Sequence, residues 1–176
     1  DRLGSGTPRA TVARAITFSP EARRGPVLDA VYLTHLDRGV DAAGRAYWAE
    51  EMAQGMVLDR VEVAILASPE VHGRAGSDAA WVDDVFQRVL GRSAGQASVD
   101  HFVGALDAGA TRSTVARGIL SSPEARRVRV TTTTQAVLGR NPTASELAVW
   151  TTVLHEGRDA RALAVVLVAT DEYHDT

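Results

Sequence analysis

Three arginines standing at one place in a recurring pattern are the first residues that invite a chemical reading. Arg38, Arg92 and Arg140 each close a Leu-x-Arg triplet: Leu36-Asp37-Arg38, Leu90-Gly91-Arg92 and Leu138-Gly139-Arg140. A guanidinium can hold a phosphate or carboxylate in a bidentate fork. It can equally satisfy carbonyls at a helix end and form a fixed ion pair. The structural reading carries more weight, because a ligand contact has no need to recur in every repeat. Glu21, Glu70 and Glu124, each closing a Ser-Pro-Glu turn, are the available partners. Turns and arginines alternate along the chain, so each Glu is expected to serve the Arg that follows. That pairs Glu21 with Arg38, Glu70 with Arg92 and Glu124 with Arg140.

Other chemistry finds little support. The histidines His35, His72, His101, His155 and His174 form no metal-ligand spacing such as His-x-x-x-His. Asp83-Asp84 and Glu50-Glu51 are adjacent on helical stretches, so their carboxylates diverge by about 100° and make no acid/base dyad. Calcium-loop, phosphate-loop and nucleophile-elbow motifs are absent. No catalytic residue, metal site or cofactor is therefore expected, and the chain does not read as an enzyme. The aromatics Trp48, Phe102 and Trp150 keep helical phase with apolar neighbours and read as core. Trp81 shares its column with Val27 and Arg129, so it lies outside that pattern. Two readings stand for Trp81: an exposed anchor, or a plug beneath the stretch that precedes it. The candidate binding residues are Trp81, Tyr47, His72 and Arg74.

These residues are positioned by an internal repeat. From each of the three arginines, ten residues lead to Trp48, Phe102 or Trp150, and seventeen to Gly55, Gly109 or Gly157. Thirty lead to Ser68-Pro69-Glu70, Ser122-Pro123-Glu124 or the worn Thr170-Asp171-Glu172. Fixed spacing of this kind marks stacked structural units. Residues 1–26 match the second half of a unit, with Leu3, Gly6 and Ser19-Pro20-Glu21 in place. The expected division is a half repeat at 1–26, then repeats at 27–77, 78–128 and a degenerate 129–176, all sharing one continuous core.

Each repeat predicts about three helices. Leu28, Val31, Tyr32 and Leu36 line the first helix of repeat one, and Val82, Val85, Phe86, Val89 and Leu90 that of repeat two. Asp41 caps the next helix and Gly55 stops it. A third helix at about 58–67 turns Val61 and Ile65 inward. Thr7, Thr111 and Asp159 are the corresponding caps elsewhere. Ala15, Ala64, Gly118 and Val166 share one column, whose mostly small residues suggest close helix approach. Residues 71–78, containing His72 and Arg74, are the one long insertion and read as an exposed loop. Thr131 to Thr134 form a β-branched run that weakens the helix predicted there. No stretch alternates with period two, so the fold class is all-α, a tandem helical array, compact or short and solenoid-like.

Composition narrows the function class. The net charge of −3 gives no nucleic-acid footprint. All 19 basic residues are arginine, which reads as a GC-rich coding bias. Without cysteine there is neither disulfide framework nor thiolate metal site. No apolar run reaches the ~18 residues of a membrane span.

The second repeat resembles the bacterial domain of unknown function numbered 4214. The residues that carry the likeness are Val85-Phe86, Val89-Leu90-Gly91-Arg92, Phe102, Leu106, Gly109, Val115 and Ser122-Pro123-Glu124, with Gly44, Tyr47 and Trp48 in the first repeat. The resemblance implies an all-helical accessory module, distantly similar to phycobilisome linker domains and appended to exported bacterial proteins. It brings no catalytic residues. The expected function is a non-catalytic adhesion or scaffolding module, extracellular or at the cell surface, that binds a protein or cell-surface glycan. The alternative is a carbohydrate-binding module using exposed aromatics.

Overall fold

A computed structural model describes residues 26–155 and Leu167. The described residues are helical, with no strand among them. In chain order the helices are α1 (Pro26–Leu36), α2 (Ala42–Ala53), α3 (Leu58–Leu66), α4 (Pro69–Ala75), α5 (Asp78–Leu90), α6 (Gln96–Asp107), α7 (Arg112–Leu120), α8 (Pro123–Leu138) and α9 (Ala144–His155). The all-α expectation therefore holds. Among the described residues no helix is long and apolar enough to cross a membrane.

The chain divides into two compact units, one of which is Pro26–Ala125. Its core gathers the apolar faces read from the sequence: Leu28, Val31, Tyr32 and Leu36 from α1, Val61 and Ile65 from α3, Val82, Val85, Phe86 and Leu90 from α5, and Val115 and Ile119 from α7. In the other unit, Val130, Leu138 and Leu167 form a smaller buried cluster, with Leu147, Trp150 and Leu154 packed against it.

The recurring triplets and turns have local causes. The middle residue of Leu-x-Arg ends its helix in the left-handed region, at φ 70° for Gly91, 68° for Gly139 and 54° for Asp37. Glycine adopts that region without steric cost, and Asp is among the few other residues that tolerate it. In Ser-Pro-Glu the Ser is the cap: Ser68 Oγ accepts from Val71 N at 3.4 Å and Ser122 Oγ from Ala125 N at 3.1 Å. The Pro takes the first helical position, where its missing N–H is no loss. Asp41 and Thr111 cap α2 and α7 as expected. Gly55 and Gly109 take φ of 99° and 95° just past the ends of α2 and α6.

Three expectations are corrected. The insertion is not a loop: Pro69–Ala75 is helix α4, Val71 is buried, and only Gly76 and Ser77 separate it from α5. Gly76 is the left-handed cap that ends α4, and Ser77 Oγ caps α5. The extra residues thus split into two helices what α8 carries as one. The threonine run does not interrupt α8 either. Thr132 and Thr134 return their hydroxyls to the carbonyl of the residue four earlier, Val128 and Val130, so the branched side chains are satisfied within the helix. Finally, Gly118 is exposed, and a Cβ built there would meet nothing within 4 Å, so the small-residue column is not a close contact at that point. The expected caps Thr7 and Asp159 lie outside the described residues.

Candidate functional site

Arg38 and Arg92 form one geometry twice. Arg38 Nε and Nη2 donate to the two carboxylate oxygens of Glu70 at 3.0 and 2.8 Å, and its Nη1 donates to the Gly39 carbonyl. Arg92 grips Glu124 through Nε and, at 2.7 Å, Nη2, while its Nη1 donates to the Ser93 carbonyl. Each guanidinium also lies over an aromatic ring, Tyr32 at 5.2 Å and Phe86 at 5.4 Å. The hydrogen bonds from the arginines hold the Glu70 and Glu124 carboxyls below the usual carboxylate range. These forks are occupied by protein carboxylates, so neither offers its donors to a ligand.

The pairing runs opposite to the expected direction. Each Glu serves the Arg before it, 32 residues earlier. The reason is helix length. Glu124 and Arg140 flank the ends of a single helix of 16 residues, which spans about 24 Å and keeps them apart. The two intervening helices instead return each Ser-Pro-Glu turn to the end of the helix that carries the preceding Arg. The same step from Arg140 lands on Glu172, which, like Glu21, lies outside the described residues.

Arg140 is bound locally as well. Its Nη1 and Nη2 donate to Glu146 at 3.0 and 2.9 Å. Glu146 is also half of a capping box: its carboxylate accepts from Thr143 N at 2.7 Å, and its own N–H donates to Thr143 Oγ1 at 3.3 Å. Arg140 first, then the Thr143 N–H, lowers the Glu146 carboxyl to about 2. The Thr-x-x-Glu spacing before an apolar run was visible in the sequence, and the sequence reading missed it.

The four binding candidates are not gathered into one site. Trp81 is fully buried, with its indole N–H donating to the Leu66 carbonyl at 2.9 Å. It is therefore no surface anchor. A carbonyl at the end of α3 needs a donor, and the indole supplies one while filling the core beneath α4. Arg74 donates to the Leu36 carbonyl at 2.9 Å and to Glu70 at 2.8 Å, closing the end of α1. His72 places Nε2 3.0 Å from Asp78 Oδ1 and 3.0 Å from Arg112 Nη2, tying α4 to α5 and α7. Tyr47 is open to solvent, 54% exposed, with its ring edge-on to Trp48 at 4.8 Å.

The repeat-column aromatics are interior or half-buried. Trp48 is buried and donates to the Tyr32 hydroxyl at 2.8 Å, while Phe102 meets Phe86 edge-on at 5.9 Å. Trp150 packs against the smaller cluster.

A cleft of about 570 Å³ lies between α3 and α7, and no sequence signal pointed to it. Val63, Ala64 and Leu120 supply apolar surface. Arg60, Arg117, Asp59, Ser113 and Ser121 supply the polar groups. Arg60 and Arg117 are exposed, and neither repeats in the other's column. Among the described residues no carboxylate lies within ion-pair distance of either, unlike Arg38, Arg74, Arg88, Arg92, Arg112 and Arg140. Among the described residues no three His, Asp or Glu side chains gather as a metal site.

No curated protein and no solved structure matches the chain. Residues 63–128, which hold the second arginine clamp, match the family model described as Domain of unknown function (DUF4214).

Proposed function

We propose that the chain is a non-catalytic adhesion or scaffolding module of an exported bacterial protein, binding a macromolecular partner through its outer surface. One observation carries the reading. The residues that recur at fixed spacing through the described repeats are committed to caps, ion pairs and core, while Arg60 and Arg117, which have no ion-pair partner among the described residues, line a cleft. A catalytic constellation needs a nucleophile or acid/base pair in mutual reach, and the candidates read from the sequence form none. Stacked helical units expose long faces suited to extended contacts. The family match names no reaction.

A carbohydrate-binding reading retains one specific support, the exposed ring of Tyr47. It loses Trp81, which is interior.

The test is capture of a partner from the cell-envelope fraction of the source, run beside a glycan array and a turnover screen. Retention of an envelope protein without turnover is the expected result. Selective glycan retention that Tyr47→Ala abolishes would favour the carbohydrate alternative. Reproducible hydrolysis of an ester, peptide or glycan by the purified chain would overturn the non-catalytic reading.

A further inference from the structure

We infer that the cleft between α3 and α7 is a docking groove for an acidic peptide segment of a protein partner, one that flanks an aliphatic side chain with carboxylates. The inference rests on the proposed binding role and names its site and chemistry.

Arg60 on α3 and Arg117 on α7 line the same cleft. Both are exposed, and neither has an ion-pair partner among the described residues. Their contrast with the clamped arginines is chemical: the forks of Arg38 and Arg92 are filled by Glu70 and Glu124. A free fork is complementary to a carboxylate, and charge-assisted bonds of this type are about twice as strong as neutral ones. Asp59, the one acidic lining residue, already has an interaction of its own.

Shape and lining select the rest of the ligand. Val63 and Leu120 are nearly buried, so only their edges reach the cleft, and Ala64 adds a small apolar surface. That suits an aliphatic side chain lying between two carboxylates. Ser113 brings a hydroxyl suited to a peptide N–H or carbonyl group. The volume of about 570 Å³ falls within the ~300–1,000 Å³ that holds a drug-sized ligand, comparable with about three residues of peptide. No aromatic side chain lines the cleft, so it lacks the flat surface on which a sugar ring stacks. A protein segment is favoured over an acidic glycan on that ground.

The full chain, labelled with ¹⁵N, tests the assignment by titration with the peptide acetyl-Gly-Asp-Leu-Asp-Gly-amide. Amide shifts concentrated at Arg60, Ser113, Arg117 and Ser121 are expected. Affinity should fall at least about tenfold in the double variant Arg60→Gln/Arg117→Gln, with its spectrum otherwise retained. A second peptide with Asn in place of both Asp should bind with similarly reduced affinity, which isolates the charge without altering the protein. Equal binding of both peptides would overturn the assignment, as would an absence of shifts at those amides. Binding of an oligogalacturonate there without the Asp peptide would make the occupant a glycan and overturn it too. If the envelope partner is captured equally by wild type and double variant, the groove assignment falls while the module reading stands. Turnover of a substrate by the wild type would remove the module reading whatever the peptide does.

Discussion

Trp81 contributes both volume and a donor. Its ring is fully buried, and its N–H satisfies the Leu66 carbonyl. Trp81→Ala should lower unfolding stability by about 3–5 kcal/mol in urea denaturation. Partner affinity per folded molecule should hold, and its loss with unchanged stability would return Trp81 to the surface. Asp37 makes the opposite prediction. It occupies the left-handed region that Gly91 and Gly139 occupy at the equivalent place. Asp37→Gly should stabilise the fold by up to about 1 kcal/mol, because glycine carries no Cβ into that conformation. The gain is reduced by whatever the 3.5 Å contact of Asp37 with Arg88 contributes, and Asp37 is largely exposed there. At this scale much was legible: the leucines, caps and stop glycines follow from type and spacing. Trp81 was not, because its column holds Val27 and Arg129 and gives no periodic cue. Arg60 and Arg117 were not, because a cleft between helices leaves no mark in either helix alone.

Between neighbouring helices, side chains are matched in pairs. Trp48 needs an acceptor, and Tyr32 provides its hydroxyl; Phe86 and Phe102 carry neither group and meet edge-on. The Tyr32 hydroxyl in turn dictates Gly44, where a Cβ would sit 3.1 Å from it and 3.2 Å from Val40 Cγ2. This is a physical cause for a glycine at position 44, four residues before Trp48. Gly44→Ala should therefore destabilise the fold, with Tyr32→Phe relieving part of the clash. Tyr32→Phe alone should cost about 1–3 kcal/mol by leaving the buried Trp48 N–H unpaired. A Tyr32/Trp48 double-mutant cycle followed by urea denaturation measures the coupling. Additive losses would show that the hydrogen bond contributes nothing.

The start of α9 titrates. Glu146 has a folded value of about 2 against an ordinary 4.5, so it is the ionised form that the fold favours. The resulting stabilisation is fully present above about 4.5 and is lost as pH falls towards about 2. Glu70 and Glu124, also lowered by their arginines, weaken in the same direction. Glu146→Gln should lower stability at neutral pH, and the gap from wild type should close on acidification through that window. A gap independent of pH would mean that the carboxylate charge is not the stabilising element. Two element-scale features escaped the sequence for one reason. The direction of the Glu–Arg pairs and the helical character of the insertion both depend on where a helix returns the chain. Spacing alone gave the members of each pair but not which neighbour they meet.

For the whole molecule, the proposed repeats at 1–26, 27–77, 78–128 and 129–176 with one shared core remain a proposal with a direct check. Trp150 is half-buried against Val130, Leu138 and Leu167. Under a shared core, Trp150→Ala shifts one cooperative transition, by about 2 kcal/mol. A second transition left unmoved would contradict the shared core.

The arginines divide into those that build the fold and those proposed to meet a partner. Titration of Arg92→Gln and Arg117→Gln with the Asp-containing peptide, each scaled to the folded fraction, tests that division most directly. Arg92→Gln should melt earlier yet bind like wild type, because its fork is filled by Glu124. Arg117→Gln should melt like wild type and bind several-fold more weakly. Weakened binding in Arg92→Gln with full binding in Arg117→Gln would contradict the account.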